Sequence, residues 1–336
     1  MRGLAALLLC LSLASPLCAD PIRVASFNAE LSRKGPGLLL RDLTEGRDAQ
    51  ITAVVAVIVA AHPDILALQG IDWDLEGRTL AALADRLAQS GLAYPHRLAL
   101  RPNSGLDSGL DLDGDGRLGG PGDAQGWGRF TGQGGIAVLS RFPILTQEVR
   151  EFTSLLWRDL PGAALPTHPD GAAFPSDAAQ AAQRLSSTAH WAVPIALPHG
   201  PRLTLLTFQA GPPVFDGPEN RNGRRNADEI RLWQLYLDGA LGPAPAAHIV
   251  IAGGANLDPA RGAGRHQAIR DLLADPRLND PLPGQPTAAF DGPGPLRVDY
   301  LLPSVDWRVE GAGLSAPAPK ASRHRLIWVD LAPHQP

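Results

Sequence analysis

The chain has 336 residues and a formal net charge of −4, and 44% of its residues are hydrophobic, 5% aromatic and 19% charged. This much apolar material can form a large core, which argues against a disordered or fibrous chain, and the length allows either two domains or one large domain. The 36 glycines and 32 prolines indicate many turns and ordered loops rather than a helical bundle. The slightly acidic balance argues against generic nucleic-acid binding.

Residues 1–19 have the pattern of a signal peptide: a positive residue, an apolar stretch and small residues before a cut after Ala19. The apolar stretch is shorter than the ~20 residues that span a membrane, and no later stretch reaches that length. Cys10 and Cys18 both lie in this segment, so the processed chain would contain no disulfide. We therefore expect a periplasmic or secreted protein without a transmembrane segment, in which residues 20–336 form a single domain.

The rest of the chain alternates short apolar runs with helical patterns. Runs typical of strands cover residues 22–27, 65–68, 136–139, 203–208, 248–252, 298–302 and 326–331. Helical spacing of apolar residues covers residues 48–61, 77–90, 225–241 and 264–274, and loops are predicted for residues 160–182 and 311–320. Short strands with long connections favour an α/β fold of two packed sheets flanked by helices over strict βαβ alternation.

An acidic motif in the middle of the chain is typical of a calcium loop. Asp111, Asp113 and Asp115 alternate before Gly116, which is the D-x-D-x-D-G start of such a loop. The twelfth position is Gly122 rather than glutamate, so the ligand set departs from the usual one. We expect a structural Ca²⁺ ion here, and the alternative is a solvated acidic turn.

Three arginines lie close together at the start of a predicted helix. Arg221, Arg224 and Arg225 could hold an anion. The alternative is a solvated helix face, in which these arginines pair with Asp228 and Glu229 at helical spacing.

Six short motifs occur in the order and with roughly the gaps of one protein family. The chain resembles the endonuclease/exonuclease/phosphatase family in residues 26–28, 63–69, 134–144, 253–256, 297–300 and 322–325. The resemblance implies a four-layer α/β sandwich, with two packed and mostly antiparallel sheets flanked by helices and an active site where loops from both sheets meet. The loop of residues 212–226 and the acidic stretch near Asp111 are similar to those of an exported bacterial subgroup.

The same resemblance implies metal-dependent phosphoester hydrolysis. That chemistry needs a divalent ion held by hard oxygen ligands, an activated water and donors to the phosphoryl oxygens. Asn28 and Asn256 stand at positions that would contact phosphate, and Asp299 would orient His324. The alternative is two turn-forming asparagines at strand ends and an aspartate that caps a loop.

Four positions depart from the family pattern. Gly70 stands where the family has a metal-binding glutamate, and Gly254 stands where it has the aspartate that orients the attacking water. Arg323 replaces the aspartate before the last histidine, and Gln209 stands where another histidine is expected. We therefore interpret the active site as degenerate.

Three hypotheses follow from these departures. The favoured one is a monomeric, exported pseudoenzyme that binds a phosphorylated or other anionic ligand or a partner, because loss of one essential group often removes as much activity as loss of the whole set. The second is an active phosphodiesterase or nuclease that uses Mg²⁺ or Mn²⁺ with Asp72, Asp74 or Asp258 as displaced ligands. The third is a calcium-stabilised structural protein of the cell envelope.

Overall fold

The computed structural model of the protein describes residues 20–245 and 247–334. The predicted signal peptide, with Cys10 and Cys18, lies outside the described residues. Within them, no helix combines the length and apolar character needed to cross a membrane.

Thirteen strands and six α-helices make up the described chain. The strands are β1 (Ile22–Asn28), β2 (Ile65–Ile71), β3 (His96–Leu98), β4 (Gly135–Ser140), β5 (Arg150–Glu151), β6 (Ala189–Ile195), β7 (Leu203–Gln209), β8 (Ile249–Gly254), β9 (Ala288–Phe290), β10 (Gly294–Leu296), β11 (Asp299–Pro303), β12 (Trp307–Leu314) and β13 (Ile327–Pro333). The helices are α1 (Leu38–Glu45), α2 (Ala49–Ala61), α3 (Arg78–Gln89), α4 (Asp177–Ala182), α5 (Arg221–Leu237) and α6 (Gln267–Leu273). Two short 3₁₀ helices cover Thr146–Glu148 and Trp157–Asp159.

The strands form two large sheets and a small hairpin. The first sheet has the order β12-β13-β1-β2-β4-β3, the second has the order β11-β8-β7-β6-β5, and β9 pairs with β10. Each large sheet is mixed, because β1 runs parallel to β2 and β7 runs parallel to β8, while their other pairs are antiparallel. The predicted fold of two packed sheets flanked by helices is confirmed.

Alternating side chains of the strands produce three stacked cores. In β1, Val24 faces a core shared with the second sheet, whereas Ala25 and Phe27 face the core on the side of α1, α2 and α3. On the far side of the second sheet, a third core includes Trp233 of α5 and Leu272 of α6. The layers are therefore helix, sheet, sheet and helix, as the resemblance implied.

The predicted helices are present with shifted ends. Asp48 caps α2, since its Oδ1 accepts a hydrogen bond from Ile51 N at 2.8 Å. The helix predicted for residues 225–241 begins four residues earlier, at Arg221, and ends at Leu237. Short α1 was not predicted.

The two predicted loops were partly wrong. Residues 177–182 of the first form α4, and residues 311–314 of the second belong to β12. Gly311 and Gly313 made this strand look like a loop. Their place in it has a packing reason, because a Cβ at Gly313 would lie 2.7 Å from Cζ2 of the Trp328 ring on the paired strand β13.

Candidate functional site

Three of the predicted site residues are in contact where the two sheets meet. Asn28 ends β1, Asp299 begins β11 and His324 lies just before β13. His324 Nδ1 lies 2.8 Å from Asp299 Oδ2, and its Nε2 lies 3.5 Å from Asn28 Nδ2. All three side chains are buried. Asp299 is thus placed to orient His324, in the arrangement that the resemblance implied.

The Asp299 carboxylate changes the protonation of His324. Burial opposes the charged imidazolium, but the attraction of Asp299 and its hydrogen bond outweigh burial and raise the pKa of His324. The Glu30 carboxylate acts in the same direction. His324 therefore carries a proton at higher pH than an ordinary histidine does.

An ion pair that sequence reasoning missed lies beside this cluster. The Glu30 carboxylate accepts hydrogen bonds from Arg323 N at 2.8 Å, Arg323 Nε at 2.9 Å and Ser322 Oγ at 3.0 Å. Burial alone would raise the pKa of Glu30, but the bonds from Arg323 hold it below its ordinary value. The only sequence signal for Glu30 was its place two residues after Asn28, at the end of a predicted strand.

Gly70 lies against the same group of residues. Its φ of +73° is in the left-handed region that favours glycine. A Cβ at Gly70 would lie 2.7 Å from Asn28 Oδ1 and 2.9 Å from Glu30 N. The side chain expected at this position in the family therefore has no room here.

Gly254 and Gln209 are also neighbours. They are paired in the β7–β8 register, and Gly254 is paired with Asp299 in the β8–β11 register. A Cβ at Gly254 would collide with Oε1 of Gln209. The Gln209 amide thus fills the space beside Gly254, so these two departures from the family pattern are spatially coupled.

The three carboxylates proposed as displaced metal ligands make hydrogen bonds to the backbone. Asp72 ties the segment after β1 to the segment before β4, Asp74 binds the first turn of α3, and Asp258 ties the segment after β8 to the segment before β11. The donors are Arg33 N and Gly134 N for Asp72, Glu76 N, Arg78 N and Thr79 N for Asp74, and Ala260 N, Arg261 N and Arg297 N for Asp258. Each carboxylate is thus already used to shape a loop or a helix end.

These contacts do not fit a divalent ion at the predicted family site. Glu30 is paired with Arg323, and Asp299 is paired with His324. In residues 20–245 and 247–334, the only set of three or more acidic, histidine or cysteine side chains close enough to share an ion is Asp111, Asp113 and Asp115. The carboxylates around His324 are thus engaged in ion pairs and do not converge with a third acidic or histidine side chain on one point, as an ion held by several protein ligands would need.

The fourth predicted residue, Asn256, lines a neighbouring cleft of about 880 Å³. Its φ is +52°, and its Nδ2 donates a hydrogen bond to Ala210 O at 2.7 Å. Gln209 lines the same cleft, whereas Asn28, Asp299 and His324 are not among its lining residues. Asn256 therefore lies beside the buried cluster, since its N donates to Val298 O at 3.1 Å, but its side chain makes its hydrogen bond to Ala210 and none to the other three residues.

The three clustered arginines have different roles. Arg225 is buried and donates to backbone carbonyls, those of Gln125, Arg184, Leu185 and Ser186. Arg224 donates to Glu219 O at 3.1 Å, and Arg221 lines the cleft. The predicted pairing with Asp228 was wrong, because Asp228 pairs with Arg231 at 2.9 Å.

The acidic motif forms a turn whose carboxylates converge. One oxygen atom from each of Asp111, Asp113 and Asp115 lies within 4.8 Å of the others. Burial, and then repulsion from the neighbouring carboxylates, raises the pKa of Asp113. A cation would relieve this repulsion, so the three side chains are candidate calcium ligands.

Solved structures of similar fold agree with the resemblance. An endonuclease/exonuclease/phosphatase from Beutenbergia cavernae DSM 12333 is 18% identical, with a TM-score of 0.59 over 94% of this chain and 72% of its own. A family protein from Leptotrichia buccalis C-1013-b is 14% identical, with a TM-score of 0.53 over 92% and 99%. Sphingomyelinase C from Streptomyces griseocarneus is 16% identical, with a TM-score of 0.50 over 92% and 99%. At these identities the likeness concerns the fold.

No curated protein sequence matches the chain. The family assignment therefore depends on the family model, which is described as the Endonuclease/Exonuclease/phosphatase family and matches residues 25–324. This match includes the buried Asn28–Asp299–His324 cluster, the whole second sheet, and the first sheet except β13 and the start of β1. The chain therefore belongs to the endonuclease/exonuclease/phosphatase family of metal-dependent phosphoester hydrolases.

Proposed function

We propose that this chain has lost metal-dependent phosphoester hydrolysis and keeps the family scaffold to bind a phosphorylated or other anionic ligand. The ion pair of Glu30 and Arg323 beside Gly70 carries the proposal. The Arg323 guanidinium repels a divalent cation, and the Glu30 carboxylate that could attract one is already paired with it. Gly70 supplies no ligand. We therefore expect binding of Mg²⁺ or Mn²⁺ to be too weak to support turnover.

The groups around His324 support anion binding. The Arg323 side chain is 60% exposed and retains donors beyond those that reach Glu30. When His324 is protonated, its Nε2 is a donor, and Asn28 Nδ2 is a donor at all pH values. These groups can donate to phosphoryl or carboxylate oxygens without a metal ion.

The second hypothesis is an active phosphodiesterase or nuclease with displaced ligands. It requires Asp72, Asp74 or Asp258 to hold Mg²⁺ or Mn²⁺. Each of these carboxylates is held by at least two backbone N–H donors, and a movement toward an ion at the family site would leave those donors unpaired, at a cost of ~1–3 kcal/mol for each buried donor. This cost favours the pseudoenzyme proposal.

Hydrolysis of bis(4-nitrophenyl) phosphate tests the two hypotheses. With Mg²⁺ or Mn²⁺ present, we expect the chain and a His324→Ala variant to release nitrophenol at the same background rate. An active family enzyme in the same buffer provides the positive control. Turnover that disappears both with EDTA and in His324→Ala would show that the site is active.

A structural Ca²⁺ ion at Asp111, Asp113 and Asp115 is a second part of the proposal. The convergence of the three carboxylates and the raised pKa of Asp113 support it. The ion would hold together a glycine-rich loop between β3 and β4. Thermal melting with Ca²⁺ and with EDTA tests this part.

Export to the periplasm or the medium, with cleavage after Ala19, is the third part of the proposal. It depends on the signal-peptide pattern of residues 1–19. The mass and N-terminal sequence of protein recovered from a periplasmic fraction would test it. An uncleaved chain confined to the cytoplasm would contradict it.

A further inference from the structure

We infer that the 880 Å³ cleft binds a small organic anion, whose charged group is held by Arg221 and whose apolar part contacts the exposed rings of Phe215 and Trp127. This inference deepens the proposed function, on which it rests for the expectation that the ligand is not hydrolysed. It adds the location of the ligand and its chemical class. The cleft lies between the segments that follow β7 and β8 and the long connection between β3 and β4.

Arg221 is a cation without a hydrogen bond or ion pair among residues 20–245 and 247–334. Its side chain is half-buried, and its Nε is buried. Burial lowers the pKa of Arg221, although nearby carboxylates, first that of Asp113, act in the opposite direction. An anionic ligand in the cleft would provide the partner that this half-buried guanidinium lacks.

The anion would bind the Arg221 side chain and not the end of helix α5. The backbone N–H groups of Asn222 and Gly223 already donate to Asp216, at 2.6 and 2.8 Å. Asp216 therefore satisfies the first turn of the helix. The Arg221 guanidinium, in contrast, has no hydrogen bond among the described residues, and Arg221 lines the cleft.

Two further polar groups in the cleft lining have no partner. Ser104 Oγ and Gln209 Oε1 are buried atoms without a hydrogen bond among the described residues. Buried polar atoms in folded proteins are nearly always satisfied by protein, water or ligand. Ser104 and Gln209 thus add unpaired polar atoms to the walls of the cleft, but both atoms are covered by protein and Gln209 Oε1 lies against Gly254, so the charged contact to a ligand falls to Arg221.

The apolar side of the cleft is formed by exposed aromatic rings. Phe215 is 94% exposed and Trp127 is 61% exposed. Phe215 has a φ of +65°, an uncommon conformation for an aromatic residue, and Asn222 Nδ2 holds its loop by donating to Val214 O at 2.8 Å. A ring held in solvent beside a half-buried cation favours a ligand with both an anionic and an apolar part.

Arg225 and Asp113 also line the cleft, and their charges affect the binding of an anion differently. Arg225 is occupied by backbone carbonyls, so it adds little to ligand binding. Asp113 also lines the cleft, and its carboxylate opposes an anion. Removal of the Asp113 charge should therefore strengthen binding, whereas removal of the Arg221 charge should weaken it.

Calorimetric titration with four probes, in buffer containing EDTA, tests the inference. The probes are phenyl phosphate, phenylacetate, inorganic phosphate and benzyl alcohol. We expect one or both of the aromatic anions to bind at least about tenfold more tightly than inorganic phosphate and benzyl alcohol, because only they use both Arg221 and the rings. Comparison of phenyl phosphate with phenylacetate identifies the preferred anionic group.

Variants assign the binding to named residues. Arg221→Gln should weaken binding of the preferred aromatic anion by about tenfold or more, and Arg224→Gln, in the same helical turn but outside the cleft lining, should not. Asp113→Asn should strengthen binding of the same aromatic anion a few-fold. Phe215→Ala should remove the advantage of the aromatic anion over inorganic phosphate, and its exposed position makes unfolding an implausible cause of the loss.

Two results would overturn the inference: no binding by any probe, or equal binding by the unchanged chain and the Arg221→Gln variant with the same circular dichroism. Release of phenol from phenyl phosphate is a separate readout, measured after addition of Mg²⁺ or Mn²⁺. Metal-dependent release would contradict the loss of hydrolysis. Arg221-dependent binding would still stand in that case, so failure of the two proposals can be distinguished.

Discussion

At Gly70, backbone conformation and steric contact both exclude a side chain. Gly77 has a similar φ, +68° against +73°, but a Cβ there would meet no atom within 4 Å. The two glycines therefore separate the cost of the left-handed conformation from the cost of collision with Asn28 and Glu30. This distinction matters for function because the sequence resemblance implies a metal ligand at the position of Gly70.

We predict that Gly77→Ala lowers the free energy of unfolding by about 1 kcal/mol, since only the backbone conformation is strained. Gly70→Ala should lower it by about 3 kcal/mol, because its Cβ also collides with Asn28 Oδ1 and Glu30 N. Urea denaturation measures both. Equal losses in the two variants would show that the residues around Gly70 yield easily and that a ligand could be restored there.

The contact between Asp299 and His324 should make the stability of the fold depend on pH. We expect NMR titration to give a His324 pKa above the ordinary 6.5, with Asp299→Asn lowering it and Glu30→Gln lowering it less. Because the pKa is raised in the folded state, the pair stabilises the fold at pH below 6.5, and this stabilisation is lost as pH rises through the folded-state pKa. Asp299→Asn should therefore flatten the fall of melting temperature above pH 6.5. An unchanged His324 pKa in Asp299→Asn would contradict the assigned contact.

At the scale of elements, the acidic loop is already shaped by its own hydrogen bonds. Asp111 accepts bonds from Gly114 N at 2.6 Å and Gly116 N at 2.9 Å. The carboxylates are thereby held close together at a cost in repulsion. An ion that binds only the folded loop stabilises the whole protein by mass action.

We predict that Ca²⁺ raises the melting temperature by several degrees once its concentration is about a hundredfold above Kd, and that EDTA reverses the effect. Asp113→Asn should abolish most of the rise. Asp107→Asn is the matched control, because Asp107 lies in the same connection but outside the acidic cluster. A melting temperature indifferent to Ca²⁺ would leave the solvated acidic turn as the better interpretation.

At the scale of the whole molecule, Glu229 connects several segments around the cleft. Its buried carboxylate accepts hydrogen bonds from Ser187 N at 2.5 Å, Ser187 Oγ at 3.1 Å and Gly211 N at 2.8 Å. Ser187 and Gly211 both line the cleft, and Glu229 belongs to α5. Burial raises the pKa of Glu229 to about 7, so the carboxylate is charged above that pH.

We predict that Glu229→Ala lowers the free energy of unfolding at pH 8 by about 3 kcal/mol or more. The loss leaves buried donors without an acceptor and the buried Arg225 without the nearby negative charge. Glu76→Gln, which changes a largely exposed glutamate, should cost less than about 0.5 kcal/mol. Denaturant unfolding measures both variants, and a small loss in Glu229→Ala would mean that water replaces the carboxylate.

The sequence by itself determined the local elements and the family. Apolar periodicity is a local property, so it predicted α2, α3 and most long strands, and the ordered motifs placed Asn28, Asp299 and His324 in one fold. The ion pair of Glu30 and Arg323 joins residues 293 positions apart, and the coupling of Gly254 with Gln209 depends on strand register. The cleft with its unpartnered Arg221 likewise required the packed molecule. Tertiary structure decided these features because burial, unpaired charge and collision depend on distances between atoms that sequence order does not specify.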